Sequence, residues 1–308
     1  MSSTFGSLPL MFGGNVFGWT IDKATSFQIL DRFVDGGGRA IDTADVYSAW
    51  VPGHSGGESE AIIGEWLKAS GKRDAVTIAT KVGLLPGEGC EGLAATRIAA
   101  ACDASLRRLG VETIDIYFAH RDDPRTPLEE TLAAFDALVK AGKVRTIAAS
   151  NYTADRLGEA LAISDANGWA RFAVLEPLYN LVERGEYEGA LRDLCVKEGI
   201  AVTPYYALAA GYLTGKYRSA DDLSGSRADS VRPYLEGKGP AVLAAMDAIA
   251  ADTGASMVAI ALAWLNAKPG IAAPIASATS IAQLDTLLAA ARLTLTPEQV
   301  AALDTASA

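Results

Sequence analysis

Histidine, cysteine and methionine are scarce in this chain: two, three and four residues among 308. Cys90, Cys102 and Cys195 are odd in number and include no CxxC pair, so a disulfide framework is not expected. Reduced thiols, and with them a cytoplasmic location, are the expectation. No His/Cys/carboxylate group has metal-ligand spacing, so no metal is expected. No apolar run reaches the ~18 residues of a membrane span. The N-terminus lacks a basic segment followed by an apolar one, so neither an anchor nor a secretion signal is expected. Positive charge is also short. Twenty-seven Lys and Arg against 37 Asp and Glu leave a net charge of -10, which argues against nucleic acid or an anionic membrane as partner. No GxGxxG follows the first apolar run, which argues against a doubly wound dinucleotide fold.

What the chain does have is alternation. Eight short apolar runs, 8–13, 39–43, 76–81, 114–120, 145–150, 172–176, 200–205 and 271–274, are separated by amphipathic stretches with visible stops. One stretch carries Phe27, Leu30 and Val34 on a face and ends at Gly36-Gly37-Gly38. Another opens with Thr126-Pro127-Leu128-Glu129, which has the spacing of a capping box, and a last one opens at Thr296-Pro297-Glu298-Gln299. Alternating β and α units with short links call for a parallel sheet, and eight such strands close into a (β/α)8 TIM barrel. The expectation is one α/β domain over residues 1–308, with its site at the C-terminal ends of the strands.

Asp42, Lys81, His120, Ser150, Glu176 and Tyr205 stand at or beside the C-terminal ends of the second to seventh runs in succession, and Tyr47 follows in the loop after Asp42. Polar residues often end strands, but six in consecutive units, with a lysine after an apolar run, point to a built site. A buried carboxylate needs a cation, and Lys81 supplies one for Asp42. Lys81 beside the Tyr47 hydroxyl is expected to lower the phenol's pKa, and His120 to orient a carbonyl oxygen. Such a group moves protons but supplies no electrons, so redox chemistry here needs an organic cofactor.

Asp42-Thr43-Ala44-Asp45-Val46-Tyr47, Ala79-Thr80-Lys81, the segment from Asp115 to Arg121, Ala149-Ser150-Asn151, Tyr179-Asn180-Leu181 and Gly211-Tyr212-Leu213-Thr214-Gly215-Lys216-Tyr217 resemble, in order, the strand-end signatures of the aldo-keto reductase superfamily. The resemblance runs from about residue 8 to 306. It implies a barrel that binds NADP or NAD and an oxidoreductase acting on an aldehyde, ketone, sugar or alcohol, with a tetrad of Asp42, Tyr47, Lys81 and His120. Tyr47 is then the general acid/base. Asp42 also borders the cofactor, Ser150 and Asn151 hold the carboxamide, and Tyr205 stacks on the nicotinamide. Gly14, Asn15 and Val16 lie near the reacting carbon. The pyrophosphate is wrapped by Leu208, Ala210, Gly211, Leu213, Gly215 and Lys216, with Tyr206 and Ala207 alongside. Ser277, Thr279, Ser280 and Gln283 meet the adenosine end, and Arg227 is a loop cation within possible reach of a phosphate.

Two positions depart from the family's pattern. Glu176 stands where relatives usually have glutamine, and an ionised carboxylate only accepts. Ser277–Gln283 carries no basic residue, so a 2′-phosphate has no charge-assisted partner there. Use of NAD beside NADP is therefore expected. Trp19 and Trp50, with Tyr47 and His120, are the expected substrate wall, and His54 a loop hydrogen-bonding residue. A short tail after the last helix suggests an open pocket. A regulatory, channel-associated subunit of the same superfamily is the rival reading, and the short segment before the first strand favours the enzyme. A Schiff-base lyase is disfavoured, because Asp42 holds Lys81 charged.

Overall fold

The computed structural model describes residues 2–87, 89–223 and 228–308. Its strands are β1 Met11–Gly13, β2 Ala40–Asp42, β3 Thr77–Val82, β4 Ile114–Ala119, β5 Val144–Ser150, β6 Val174–Glu176, β7 Ala201–Val202 and β8 Ile275–Ala276. All pair in parallel, in the order β7-β6-β5-β4-β3-β2-β1-β8. The two ends of that order meet through a Val202–Ile271 bridge, with the Val202 N–H donating to Gly270 O at 3.0 Å and the Ile275 N–H to Pro204 O at 2.9 Å. The backbone groups of β7 and β8 are thereby satisfied, as barrel closure requires. Helices fill the connections, among them Lys23–Asp35, Glu58–Ser70, Ala95–Leu109, Leu128–Lys140 and Ala154–Asn167.

Side chains alternate between the two faces of a strand. One set, including Phe12, Ile41, Ile78, Tyr117, Ile147 and Leu175, joins the large core shared with the helices. The other set fills the barrel: Met11, Ala40, Ala79, Ile116, Phe118, Ala148, Val174, Ala201 and Ile275. These side chains are buried and mix alanines with larger residues, so the interior is packed rather than a channel. Each fully buried large side chain contributes about 1.5–3 kcal/mol.

This alternation aims the polar residues. Asp42 lies two positions after the interior Ala40, Lys81 two after Ala79, His120 two after Phe118, Ser150 two after Ala148 and Glu176 two after Val174. All five therefore continue the interior face at the strands' C-terminal ends.

The sequence-based expectations needed two corrections here. The eighth run, 271–274, is not the strand. Pro274 lacks an N–H and cannot continue a ladder, so β8 begins after it, while Ile271 makes the closing bridge instead. The capping box at 126–129 does not form. The Thr126 hydroxyl donates to Asp123 Oδ2 at 2.9 Å, and Pro127 takes the cap position of the helix. The helix Lys23–Asp35 does turn Leu30, Phe27 and Val34 to the core, with Ile29 and Phe33 buried beside them. The box at Thr296–Gln299 is present. Among the described residues no single helix is long and apolar enough to cross a membrane.

Candidate active site

At the C-terminal end of the barrel Lys81 is wholly buried, and its ammonium is the hub of the site. It donates to Asp42 Oδ1, to Thr43 O at 3.0 Å and to the Tyr47 hydroxyl at 3.0 Å, and lies 3.5 Å from Glu176 Oε1. The Tyr47 hydroxyl donates to Asp42 Oδ2 at 3.0 Å. Burial opposes a charged amine, but Asp42 and Glu176 outweigh it and hold the Lys81 pKa above its ordinary value. The amine is therefore a permanent cation and not a Schiff-base nucleophile.

The loop that carries Tyr47 is pinned from behind. Thr43 donates to Ser59 Oγ at 2.8 Å, and Ser59 in turn to Gly14 O at 2.8 Å. A Cβ on Gly14 would stand 2.7 Å from Asp42 O, so only glycine permits this approach of β1 to β2. Buried Asp45 pairs with Arg97 at 2.6 Å, yet desolvation still raises its pKa to about 7. Ser48, in the left-handed region, donates to Phe17 O at 2.9 Å.

Tyr47 departs from expectation in its charge state. Burial first, then the charge of Asp42, push its pKa well above 10, and Lys81 only partly offsets them. The residue is thus a neutral phenol, a proton donor rather than a resting phenolate. His120 sits edge-on to the Tyr47 ring, 6.2 Å between centroids, and its Nδ1 is buried without a partner among the described residues. Burial, with Lys81 and Arg121 nearby, lowers its pKa well below 6.5, so the imidazole is neutral.

Beside the tetrad, Ser150 donates to Glu176 O at 2.9 Å. Asn151 Nδ2 donates to His120 O and Ser150 Oγ, both at 3.0 Å, and Asn151 Oδ1 accepts from the Tyr205 hydroxyl at 2.8 Å. Asn151, Tyr206, Ala209 and Ala210 all hold positive φ of 48–58°. Left-handed backbone at non-glycine residues is costly and tends to gather at ligand-holding loops.

These groups open into one cavity of about 1220 Å³. Asn15, Val16, Trp19, Asp42, Tyr47, Trp50, His120, Ser150, Asn151 and Glu176 line it, as do Tyr205, Tyr206, Ala207, Leu208, Ala210, Gly211, Lys216, Ser277, Thr279 and Gln283. Other expected residues stand behind the wall. Leu213 is wholly buried in the core, Gly14 backs onto Ser59, Gly215 forms a turn against Arg218 and Met257, and Ser280 caps the helix Ile281–Ala290 through Gln283 N. Arg227 lies outside the described residues. Ser277 donates to Asn15 Oδ1 at 2.7 Å, and Gln283 Oε1 accepts from Thr279 N at 2.8 Å. Trp19 and Trp50 meet edge to face at 5.5 Å, whereas His54 lies in a separate shallow groove with Asp22 and Glu58. Sequence reasoning missed Arg121, Leu84, Tyr217 and Val258, among others, on the wall. For Arg121 a signal existed: it directly follows His120 in a quoted motif.

Residues 9–308 match the family model described as the Aldo/keto reductase family. The chain belongs to the aldo/keto reductase family. Similar curated proteins include an uncharacterized oxidoreductase, YrpG, of Bacillus subtilis, 32% identical over 94% of this chain and 89% of the relative. An aryl-alcohol dehydrogenase [NADP(+)] of Phanerodontia chrysosporium is 30% identical over 91% and 75%. A probable voltage-gated potassium channel subunit beta of Arabidopsis thaliana is 30% identical over 89% and 84%. The chain is therefore an NAD(P)H-dependent oxidoreductase of a family that acts on small carbonyl substrates.

Proposed function

We propose that this aldo/keto reductase interconverts a carbonyl and an alcohol in the 1220 Å³ cavity, with Tyr47 as the proton donor and acceptor. The observation that carries the reading is the buried Lys81 ammonium, shared between Asp42 and the Tyr47 hydroxyl on the cavity floor. A bound nicotinamide supplies or takes the hydride. The cavity fits a dinucleotide in three respects. It exceeds the ~300–1,000 Å³ of ordinary ligand pockets, the left-handed residues Tyr206 and Ala210 form part of its wall, and the orphaned Glu176 Oε2 lies beside it.

In reduction, the Tyr47 hydroxyl turns from Asp42 to the substrate oxygen and donates its proton. Lys81, still bonded to the phenolic oxygen, steadies the tyrosinate that forms, and Asp42 keeps Lys81 in place. His120, neutral and at the edge of Tyr47, donates a hydrogen bond to the same substrate oxygen. Ser150, Asn151 and Glu176 would hold the carboxamide, Tyr205 would pack on the ring, and Lys216 with the 206–211 segment would hold the pyrophosphate. No basic residue lies in Ser277–Gln283, so NAD is accepted beside NADP.

The test is tryptophan quenching with NADH and NADPH side by side, followed by multi-turnover assays on a panel of aldehydes. Affinities within tenfold of each other are expected, whereas NADPH tighter by more than that, about 1.4 kcal/mol, would overturn dual use. Cofactor binding without turnover on any aldehyde would favour the regulatory-subunit reading, which otherwise rests on the name of one relative.

The missed Arg121 sharpens the substrate class. It is exposed at the cavity, acts electrostatically on both His120 and Tyr205, and forms no ion pair among the described residues. Trp19, Trp50 and Leu84 give the same wall an apolar face. An aromatic or apolar aldehyde bearing a carboxylate meets both demands. Arg121→Ala should raise KM for 4-carboxybenzaldehyde about tenfold relative to KM for benzaldehyde. An unchanged KM ratio removes Arg121 from substrate recognition.

A further inference from the structure

Glu176 is 2% exposed, yet it borders the cavity and is only half partnered. Oε1 lies 3.5 Å from Lys81 Nζ, and Oε2 is buried with no hydrogen-bond partner among the described residues. The titratable groups around it are Asp42 on β2, Tyr47 on the following loop, Lys81 on β3, His120 after β4 and Tyr205 beyond β7. Lys81 is the cation among them, and Asp42 holds it at closer range. Two buried carboxylates thus share one ammonium. With both ionised the cluster carries a net charge of -1, and with one protonated it is neutral.

We propose that Glu176 sets the redox preference of the site: ionised, it makes the floor of the nicotinamide pocket net negative and favours the cationic oxidised ring over the neutral reduced one, making the bound reduced cofactor the stronger hydride donor and biasing the bound equilibrium toward carbonyl reduction. This rests on the reading of the cavity as a nicotinamide site. In the favoured direction a C–H bond of the reduced nicotinamide breaks, its electron pair leaves as hydride to form the carbinol C–H bond at the carbonyl carbon, and the ring is left cationic. The Tyr47 proton passes to the carbonyl oxygen as the C=O π bond opens, leaving a tyrosinate that Lys81 holds through its 3.0 Å hydrogen bond. The carbonyl is left as an alcohol.

Burial, then the charge of Asp42, raise the Glu176 carboxyl to about 8, with Lys81 opposing them. As pH rises through that value the carboxyl loses its proton and the preference for the oxidised ring grows. Tyr47 and Lys81 titrate above this window and His120 below it. Asp45 titrates inside it, at about 7, but is paired with Arg97 and unchanged by substitution at Glu176.

The experiment titrates the intact protein, Glu176→Gln and Glu176→Asp with the oxidised and reduced forms of whichever dinucleotide binds. Tryptophan quenching reads the affinities from about pH 6.5 to about pH 9. In the parent protein the affinity ratio of oxidised to reduced form should rise about tenfold across that range. Glu176→Asp should keep the slope and Glu176→Gln should lose it. Binding of the oxidised form near pH 8 should also release a proton from the parent protein, detectable with a pH indicator dye, and not from Glu176→Gln. A flat ratio in the parent protein, or an equal slope in Glu176→Gln, overturns the inference while leaving the cofactor reading intact. Failure of every dinucleotide to bind the parent protein overturns the cofactor reading itself. If Glu176→Gln does not fold, the parent slope and the Glu176→Asp titration still decide.

Discussion

Tyr47→Phe should lower kcat by about 10²–10⁴-fold, the usual worth of a positioned general acid, while changing cofactor affinity little. Phenylalanine fills the same space against Trp50 and His120, so packing is kept and only the hydroxyl goes. That hydroxyl is the one group that both accepts from Lys81 and donates toward the cavity floor, each at 3.0 Å. The neutral state of Tyr47 makes the effect large. Its pKa is held well above 10, so at neutral pH every molecule carries the transferable proton. Steady-state turnover with quenching titrations on the same preparation checks this. A loss of less than tenfold in kcat, with folding intact, would remove Tyr47 from the chemical step and leave His120 as the donor.

Lys81→Met should destabilise the fold by about 3–5 kcal/mol near neutral pH, the cost of stripping a buried charge of its partner. Methionine nearly matches the lysine stem in volume, so little of the loss comes from a cavity. Asp42 and Glu176 would remain buried on the floor with no cation between them. The sign of the pH dependence follows. Both carboxyls already sit above their ordinary values of 3.8 and 4.5, chiefly through burial, and losing Lys81 raises them further. Between the unfolded and folded pKa values the native state then holds more protons than the unfolded one, so stability falls as pH rises. The deficit of the variant should be smallest below about pH 4 and grow through pH 8 and beyond. Urea unfolding at several pH values measures it. A deficit independent of pH would mean that the loss is one of packing.

Much of this site was legible in the sequence, for a simple reason. A short apolar run ending in a charged or polar residue marks a strand leaving the core, and five of the six strand-end residues continue the barrel's inward alternation. Asp42, Lys81, His120, Ser150 and Glu176 could be placed together from this rule and the order of the runs. Strand limits were less legible where backbone chemistry intervened: Pro274 pushed β8 to Ile275–Ala276, directly after the apolar run that suggested it. Capping at Thr126 failed because Asp123 competed for the hydroxyl. Arg97 reaches Asp45 from a helix 52 positions away, and no local pattern announces such a pairing.

The sequence by itself determined which residue types end which strands, and so the barrel, the gathering of Asp42, Lys81 and His120 at one end of it, and the lack of a basic residue in Ser277–Gln283. Only the tertiary structure decided their charge states. A pKa in a closed site is set by burial and by every charge within a few ångströms, and both depend on how separate strands come together. Lys81 next to Tyr47 in prospect suggested a phenolate. Lys81 held jointly by Asp42 and Glu176, with Tyr47 buried above them, makes a neutral phenol and leaves a second carboxyl poised near pH 8.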